Sequence, residues 1–116
     1  MYPKWEIQLS HQVLAWLDSE PVAIKERVDV VLTVLAAHGP NLGRPIVDSI
    51  SGSSIRNLKE LRVLSSRDRA IRILFCFTPA RIALLLVAGD KSNNWGGWYQ
   101  QAMQEAEEIY ERYIEN

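Results

Sequence analysis

Ala70-Ile71-Arg72-Ile73-Leu74-Phe75-Cys76-Phe77 and, three residues later, Arg81-Ile82-Ala83-Leu84-Leu85-Leu86-Val87-Ala88 decide the fold of this 116-residue chain. Both runs have strand length and are rich in branched and aromatic residues. The connection Thr78-Pro79-Ala80 suits an antiparallel hairpin. The second run is almost wholly apolar, so it belongs inside a sheet covered on both faces. Upstream, Leu58 to Leu64 mixes apolar and charged positions, and it turns through Ser65-Ser66-Arg67-Asp68 into the first run. A three-stranded antiparallel meander follows.

Working outward, Trp5-Glu6-Ile7-Gln8-Leu9 alternates apolar and polar, the period of a half-buried strand. Ser10 suits the N-cap of a helix from His11 to about Ser19, with Val13, Leu14, Trp16 and Leu17 as its apolar face. Pro21 fits the first turn of a second helix. Ile24, Val28, Val31, Leu32 and Leu35 mark its core stripe, and Gly39-Pro40 ends it. The two helices are expected to form a helical hairpin, and Trp5 and Trp16 are assigned to the core. Asn41 to Asn57 is rich in Gly, Ser and Pro and is expected to be a loop, with a short strand or turn around Pro45 to Ile50. A connection this long is expected to touch a ligand or partner. Gly89 to Asn94 is a polar loop, and Gly96-Gly97 leads into a last helix from Trp98 to about Ile114. Met103, Ala106, Ile109, Tyr110 and Tyr113 form its inner stripe, with Glu105, Glu107, Glu108 and Glu111 outside. The plan is α+β: an N-terminal strand, a helical hairpin, the meander and a C-terminal helix, in one domain over residues 1–116.

Hydrophobic residues make up 47% of the chain, enough for a packed core without staples. The single cysteine, Cys76, has no partner for an internal disulfide, which fits a reducing compartment. Inside its apolar run it is expected to be a buried small hydrophobe, since a nucleophile needs a histidine base and only His11 and His38 exist. His11 follows an N-cap and His38 ends a helix, and neither has a catalytic partner in view. No ligand spacing for a metal is present, and no cofactor is implied. No apolar segment is long enough to span a membrane and no leader is visible, so a cytoplasmic protein is expected.

Charge is unevenly placed. From Arg56 to Lys91 there are eight basic and three acidic residues, against five basic and eleven acidic in the remainder. A basic middle in an acidic frame suits a polyanion on one face and another partner elsewhere. Alternation puts Arg62 on one face with Leu58 and Glu60, and Arg72 on one face with Ala70 and Leu74. The hairpin brings Arg62 and Arg72 onto neighbouring strands, and Lys91 follows the third strand. Three converging cations suit cleavage of an RNA phosphodiester. Arginines hold the charge gathering on the phosphoryl oxygens, and a lysine of lowered pKa, or a tyrosine, moves a proton. Arg72 is assigned the transition-state charge and Lys91 the proton transfer, with Arg62 beside them. Lys59, Arg69, Trp98 and Tyr99 are candidates for holding substrate, the aromatics by stacking on bases. The competing structural roles are an Arg72–Glu60 pair across the sheet, Asp90 as a turn cap or a partner of Lys91, and Trp95 and Trp98 as core or lid aromatics.

Leu58-Lys59-Glu60-Leu61-Arg62, Ile71-Arg72-Ile73-Leu74-Phe75 and the strand end Leu85 to Ser92 with Trp95, Trp98 and Tyr99 resemble, in order and spacing, motifs of the RelE/ParE superfamily. The chain is most similar to its phage-derived, HigB-like branch. The resemblance implies a RelE-like fold and a toxin of a type II toxin–antitoxin pair that cuts mRNA on the ribosome without a metal. It carries over Arg62, Arg72 and Lys91 as site residues, with Tyr99 or Trp98 at an aromatic position. Two positions depart: Ser92 follows the lysine where many relatives carry a second basic residue, and Ile71 stands where a tyrosine is frequent. The implied partners are a helix-turn-helix antitoxin, mRNA and the ribosome, with DNA reached only through the antitoxin complex. The alternatives are a non-catalytic inhibitor of a protein target such as gyrase, as in ParE-type members, and a degenerate binding module.

Overall fold

Residues 4–63 and 69–115 are described by the computed structural model, with the backbone alone at residue 95. The alternating N-terminal run forms β1 (Glu6–Leu9). Ser10 caps α1 (His11–Asp18), its Oγ accepting the Val13 N–H at 3.2 Å. Pro21 stands at the N-cap of α2 (Val22–His38), one position before the expected first turn. Gly39 ends α2 with φ +56, and the Trp5 ring lies where a Cβ would project. Within the loop, β2 (Val47–Ser49) is the short strand expected around Pro45 to Ile50. Next come β3 (Lys59–Val63), β4 (Ile71–Phe77), β5 (Ile82–Asp90) and α3 (Trp95–Glu115). Leu64 and the turn 65–68 lie outside the described residues.

The strands make one five-stranded sheet ordered β1-β5-β4-β3-β2. β1 runs parallel to β5, and the other pairs are antiparallel. The meander is therefore extended at both edges. Helices α1 and α2 cover one face, where Val13, Ile24, Val28 and Leu35 meet Leu61, Ile73, Phe75 and Leu85. α3 covers the other, where Ala102 and Ala106 meet Leu58, Leu74, Leu84 and Leu86. Each fully buried Leu, Ile or Phe here contributes about 1.5–3 kcal/mol, so two opposed cores hold the sheet between them. Buried Cys76 belongs to the α3 side, and burial pushes its thiol up to about 11.

Four expectations are corrected. The last helix begins at Trp95 and includes Gly96 and Gly97, because Asn94 caps it: Asn94 Oδ1 accepts the Gly97 N–H and Asn94 O the Trp98 N–H. β5 continues through Gly89 and Asp90, which pair with Arg72 and Ile71. Glu107 is not merely solvated, since it accepts from Ser53 Oγ and Ser54 N–H and ties the 50–58 loop to α3. Trp5 is only half-buried, edge-on to Phe77 beneath the Arg81 guanidinium, while Trp16, also half-buried, packs against the α1–α2 core as expected.

The pairing of β4 with β5 slips by one residue: Leu74 faces Val87 but Phe75 faces Leu85. Leu86 and Val87, adjacent in sequence, both pack on the α3 side. This bulge reverses the alternation of β5 beyond it. Ala88 returns to the α1–α2 core and Gly89 faces Trp98 on the α3 side. The strand end therefore delivers Asp90 to one face and Lys91 to the other.

Candidate active site

Register fixes the centre of the basic middle. Arg62 on β3 stands directly opposite Arg72 on β4. Both side chains lie on the α3 side, as the parity of Leu58 and Leu74 requires. Like charges facing across a sheet destabilise it unless compensated. The compensation is Glu60, a carboxylate on the same face of β3 and 4% exposed. Its Oε1 lies 3.1 Å from Arg72 Nε, a contact off-axis for a hydrogen bond, and its Oε2 lies 3.8 Å from Arg62 Nη2. Arg62 Nη2 also meets Asp48 Oδ2 of β2 at 3.0 Å, and Arg72 Nη1 donates to the Ile71 carbonyl at 3.0 Å. The Nε groups of both arginines are buried without a hydrogen-bond acceptor among the described residues.

Lys91 is 7% exposed and reaches into this cluster from the end of β5. Its Nζ donates to Tyr99 Oη at 2.9 Å, and that hydroxyl donates to Glu60 Oε1 at 2.7 Å. A lysine, a phenol and a carboxylate thus form a continuous hydrogen-bonded chain. Burial lowers the pKa of Lys91, the cation of Arg72 adds to this, and Glu60 opposes it. Burial pushes Tyr99 up to about 12, reinforced by its bond to Glu60. The protonated phenol is therefore favoured in the fold. A phenolate absorbance titration is expected to show a late phase approaching pH 12 that Tyr99→Phe removes. Retention of that phase in the variant would refute the hydrogen-bonded chain.

The other sequence-predicted residues are distributed around this centre. Trp98 stands edge-on to Tyr99, 5.2 Å between centroids, and seals the Gly89 backbone. Arg69 lies beside the cluster but is held by Glu20 and by Asp90 Oδ2 at 2.8 Å. Asp90 therefore pairs with Arg69 and not with Lys91. It also accepts from Ala70 N–H, Ser92 N–H and Ser92 Oγ. Burial would raise this carboxyl, but those donors outweigh burial and hold it well below the usual carboxylate range. Lys59 pairs with Phe75 on the opposite face of the sheet and joins the Asn41–Arg44 edge, away from the three cations. The side chain of Trp95 lies outside the described residues.

Glu60 at the centre is what sequence reasoning missed, beyond its pairing with Arg72. Its shared parity with Arg62 was the available signal. A cleft of about 360 Å³ opens beside the arginines, lined by Pro45, Ile46, Arg62, Val63, Arg69, Ala70 and Arg72. A second cleft, about 410 Å³, lies at the start of α1 and the C-terminal half of α3, away from the cations. Among the described residues, no group of three His, Cys, Asp or Glu side chains can hold a metal ion. No helix among them is long and apolar enough to cross a membrane.

Residues 15–111 match the family of phage-derived Gp49-like proteins. The chain is 39% identical over 103 residues to HigB2 of Mycobacterium tuberculosis, described as a candidate toxin, and covers 89% of itself and 51% of that protein. It is 43% identical over 83 residues to HigB3 of the same organism, similarly described, covering 72% and 70%. The chain thus spans about half the length of HigB2. Its backbone matches a doubly substituted E. coli toxin RelE in the free state, with TM-score 0.63, 11% identity, and 87% and 96% of the two chains covered. It also matches an archaeal RelE–RelB complex from Pyrococcus horikoshii OT3, with TM-score 0.59, 18% identity, and 75% and 94% covered. At these identities the structures speak for the fold alone. From the family match and the HigB3 similarity together, this chain belongs to the phage-derived Gp49-like family of HigB-type proteins, built on a RelE-like fold.

Proposed function

We propose that the chain is the toxin of a toxin–antitoxin pair and a metal-independent endoribonuclease acting on mRNA, with the ribosome as the place of cleavage. The observation that carries this is the direct opposition of Arg62 and Arg72, joined through Glu60 and Tyr99 to Lys91. Paired arginines are costly for a sheet and useful to a phosphodiester, whose charge builds on the phosphoryl oxygens. The proposed reaction is an in-line transfer. The 2′-oxygen of the RNA bonds to phosphorus and the bond to the 5′-oxygen breaks, leaving a 2′,3′-cyclic phosphate and a free 5′-hydroxyl. Tyr99 takes the 2′-hydroxyl proton as it passes its own to Glu60, and Lys91 gives a proton to the departing 5′-oxygen. The same two hydrogen bonds then return the proton from Glu60 to Lys91. The lowered pKa of Lys91 suits a group that must release its proton.

The cognate partner is proposed to be a small helix-turn-helix antitoxin. The RelE–RelB complex among the structural matches supports a toxin-with-antitoxin arrangement. A cytoplasmic location follows from substrate and partner. Induced expression is expected to arrest growth, and Lys91→Ala or Arg72→Ala to abolish the arrest while the proteins still fold. Wild-type-like arrest in both variants would overturn the assignment and favour inhibition of a protein target.

A further inference from the structure

We propose that Gln12 is a positioning residue that, by bonding both backbone groups of Ala88, holds the β5 bulge that turns Lys91 into the cluster. β1 ends at Leu9, opposite Leu85, so the β1-side edge of β5 loses its strand partner beyond that point. The start of α1 replaces it. The Ser10 N–H bonds to the Leu85 carbonyl at 2.9 Å, and Ser10 Oγ to the next carbonyl, Leu86 O, at 2.7 Å. Two consecutive carbonyls aimed at one side are the signature of a bulge. Two residues later, Gln12 Oε1 accepts the Ala88 N–H at 2.9 Å and Gln12 Nε2 donates to the Ala88 carbonyl at 3.1 Å. The side-chain amide does the work of a strand residue.

Ala88 is 3% exposed, so these groups would otherwise be buried and unpaired, at a cost near that of a lost hydrogen bond each. Gln12 thereby favours the bulged register over a regular one. The consequence falls on the strand end. With the bulge, Gly89 faces Trp98 and Lys91 reaches Tyr99. In a regular strand, strict alternation with Ala83 and Leu85 would send Lys91 to the α1–α2 side. Gln12 itself lies on α1, 76 residues from Ala88 in sequence.

That Lys91 serves RNA cleavage rests on the function proposed above, whereas the effect of Gln12 on Lys91 does not. The test uses the full chain, isotope-labelled for NMR, as wild type, Gln12→Met and Gln12→Glu. Met keeps the length and removes both bonds; Glu keeps the acceptor for the Ala88 N–H and loses the donor. In Gln12→Met, amide exchange at Ala88 is expected to accelerate about tenfold or more. Leu61 and Ile73 amides keep their protection, and the Lys91 ammonium titrates closer to the ordinary lysine value. Turnover on RNA falls about 10- to 100-fold with KM little changed, as expected for a displaced proton-transfer group. Gln12→Glu falls between the two. Unchanged Ala88 exchange and an unchanged Lys91 titration in Gln12→Met would overturn the proposal. Uniform loss of protection at Leu61, Ile73 and Ala88 in both variants would also overturn it, in favour of a role in global stability. A wild-type chain that cleaves no RNA, with Lys91 still shifted by Gln12→Met, would instead refute the function and leave the positioning role standing.

Discussion

Arg72→Gln is expected to lower RNA cleavage by about 10²–10³-fold while the chain still folds, the loss typical of one preorganised donor removed from a developing oxyanion. The Arg72 side chain is 15% exposed and fixed by the Ile71 carbonyl and Glu60. It therefore meets a phosphoryl group without first having to order itself. Glutamine is shorter and neutral and cannot offer the paired N–H groups of a guanidinium. Its effect should also reach Lys91, because the Arg72 cation is, after burial, the chief cause of the lowered lysine pKa. Single-turnover rates on RNA and a Lys91 Nζ titration check both consequences. Unchanged cleavage, or a lysine that fails to titrate higher, would remove Arg72 from the role assigned to it.

Glu60→Gln should have the largest effect on stability. It leaves Arg62, Arg72 and Lys91 together, with Asp48 as the counter-charge remaining on Arg62, and breaking a buried ion pair from one side costs about 3–5 kcal/mol. Glutamine still offers an oxygen to Tyr99, which places the expected loss toward the lower end. Two further effects separate this variant from a merely destabilised one. The site gains net positive charge, so RNA should bind more tightly. Turnover should fall about 10²–10⁴-fold, because the group that ends the proton chain is gone. Glu60 also raises the pKa of Lys91, so its removal lowers that value further. Between the folded and unfolded pKa values of Lys91, the unfolded chain binds more protons, so stability climbs as pH rises through that window. Glu60→Gln extends the window to lower pH. Urea melts at several pH values, alongside RNA binding and turnover, read all of these. Weaker binding with unchanged turnover would contradict the role given to Glu60.

The strands, the Ser10 cap and the placing of Arg62 and Arg72 on neighbouring strands are legible because each rests on local pattern: alternation, a cap residue, a short turn; their direct opposition comes only with the register. The start of the final helix is not legible, because Gly96-Gly97 looks like a break in the sequence whereas the Asn94 side chain supplies the missing acceptor. The bulge in β5 could not be read, since Leu84-Leu85-Leu86-Val87 is apolar at every position and carries no parity for a slip to disturb. Lys91 was placed by its position at a strand end, but the reason it faces Tyr99 lies in that bulge and in α1. Glu60 became central only when register put it between two arginines and a phenol. Long-range bonding of a side chain to backbone, such as that of Gln12 with Ala88, leaves no trace in local spacing.

Mapping the ends of cellular mRNA by primer extension tests most directly whether this cation–carboxylate–phenol cluster cuts RNA. Induction of the wild-type chain is predicted to produce new internal mRNA ends, and induction of Lys91→Ala or Arg72→Gln to produce none. Growth arrest by the wild type without new ends, or the same ends from both variants, would contradict it.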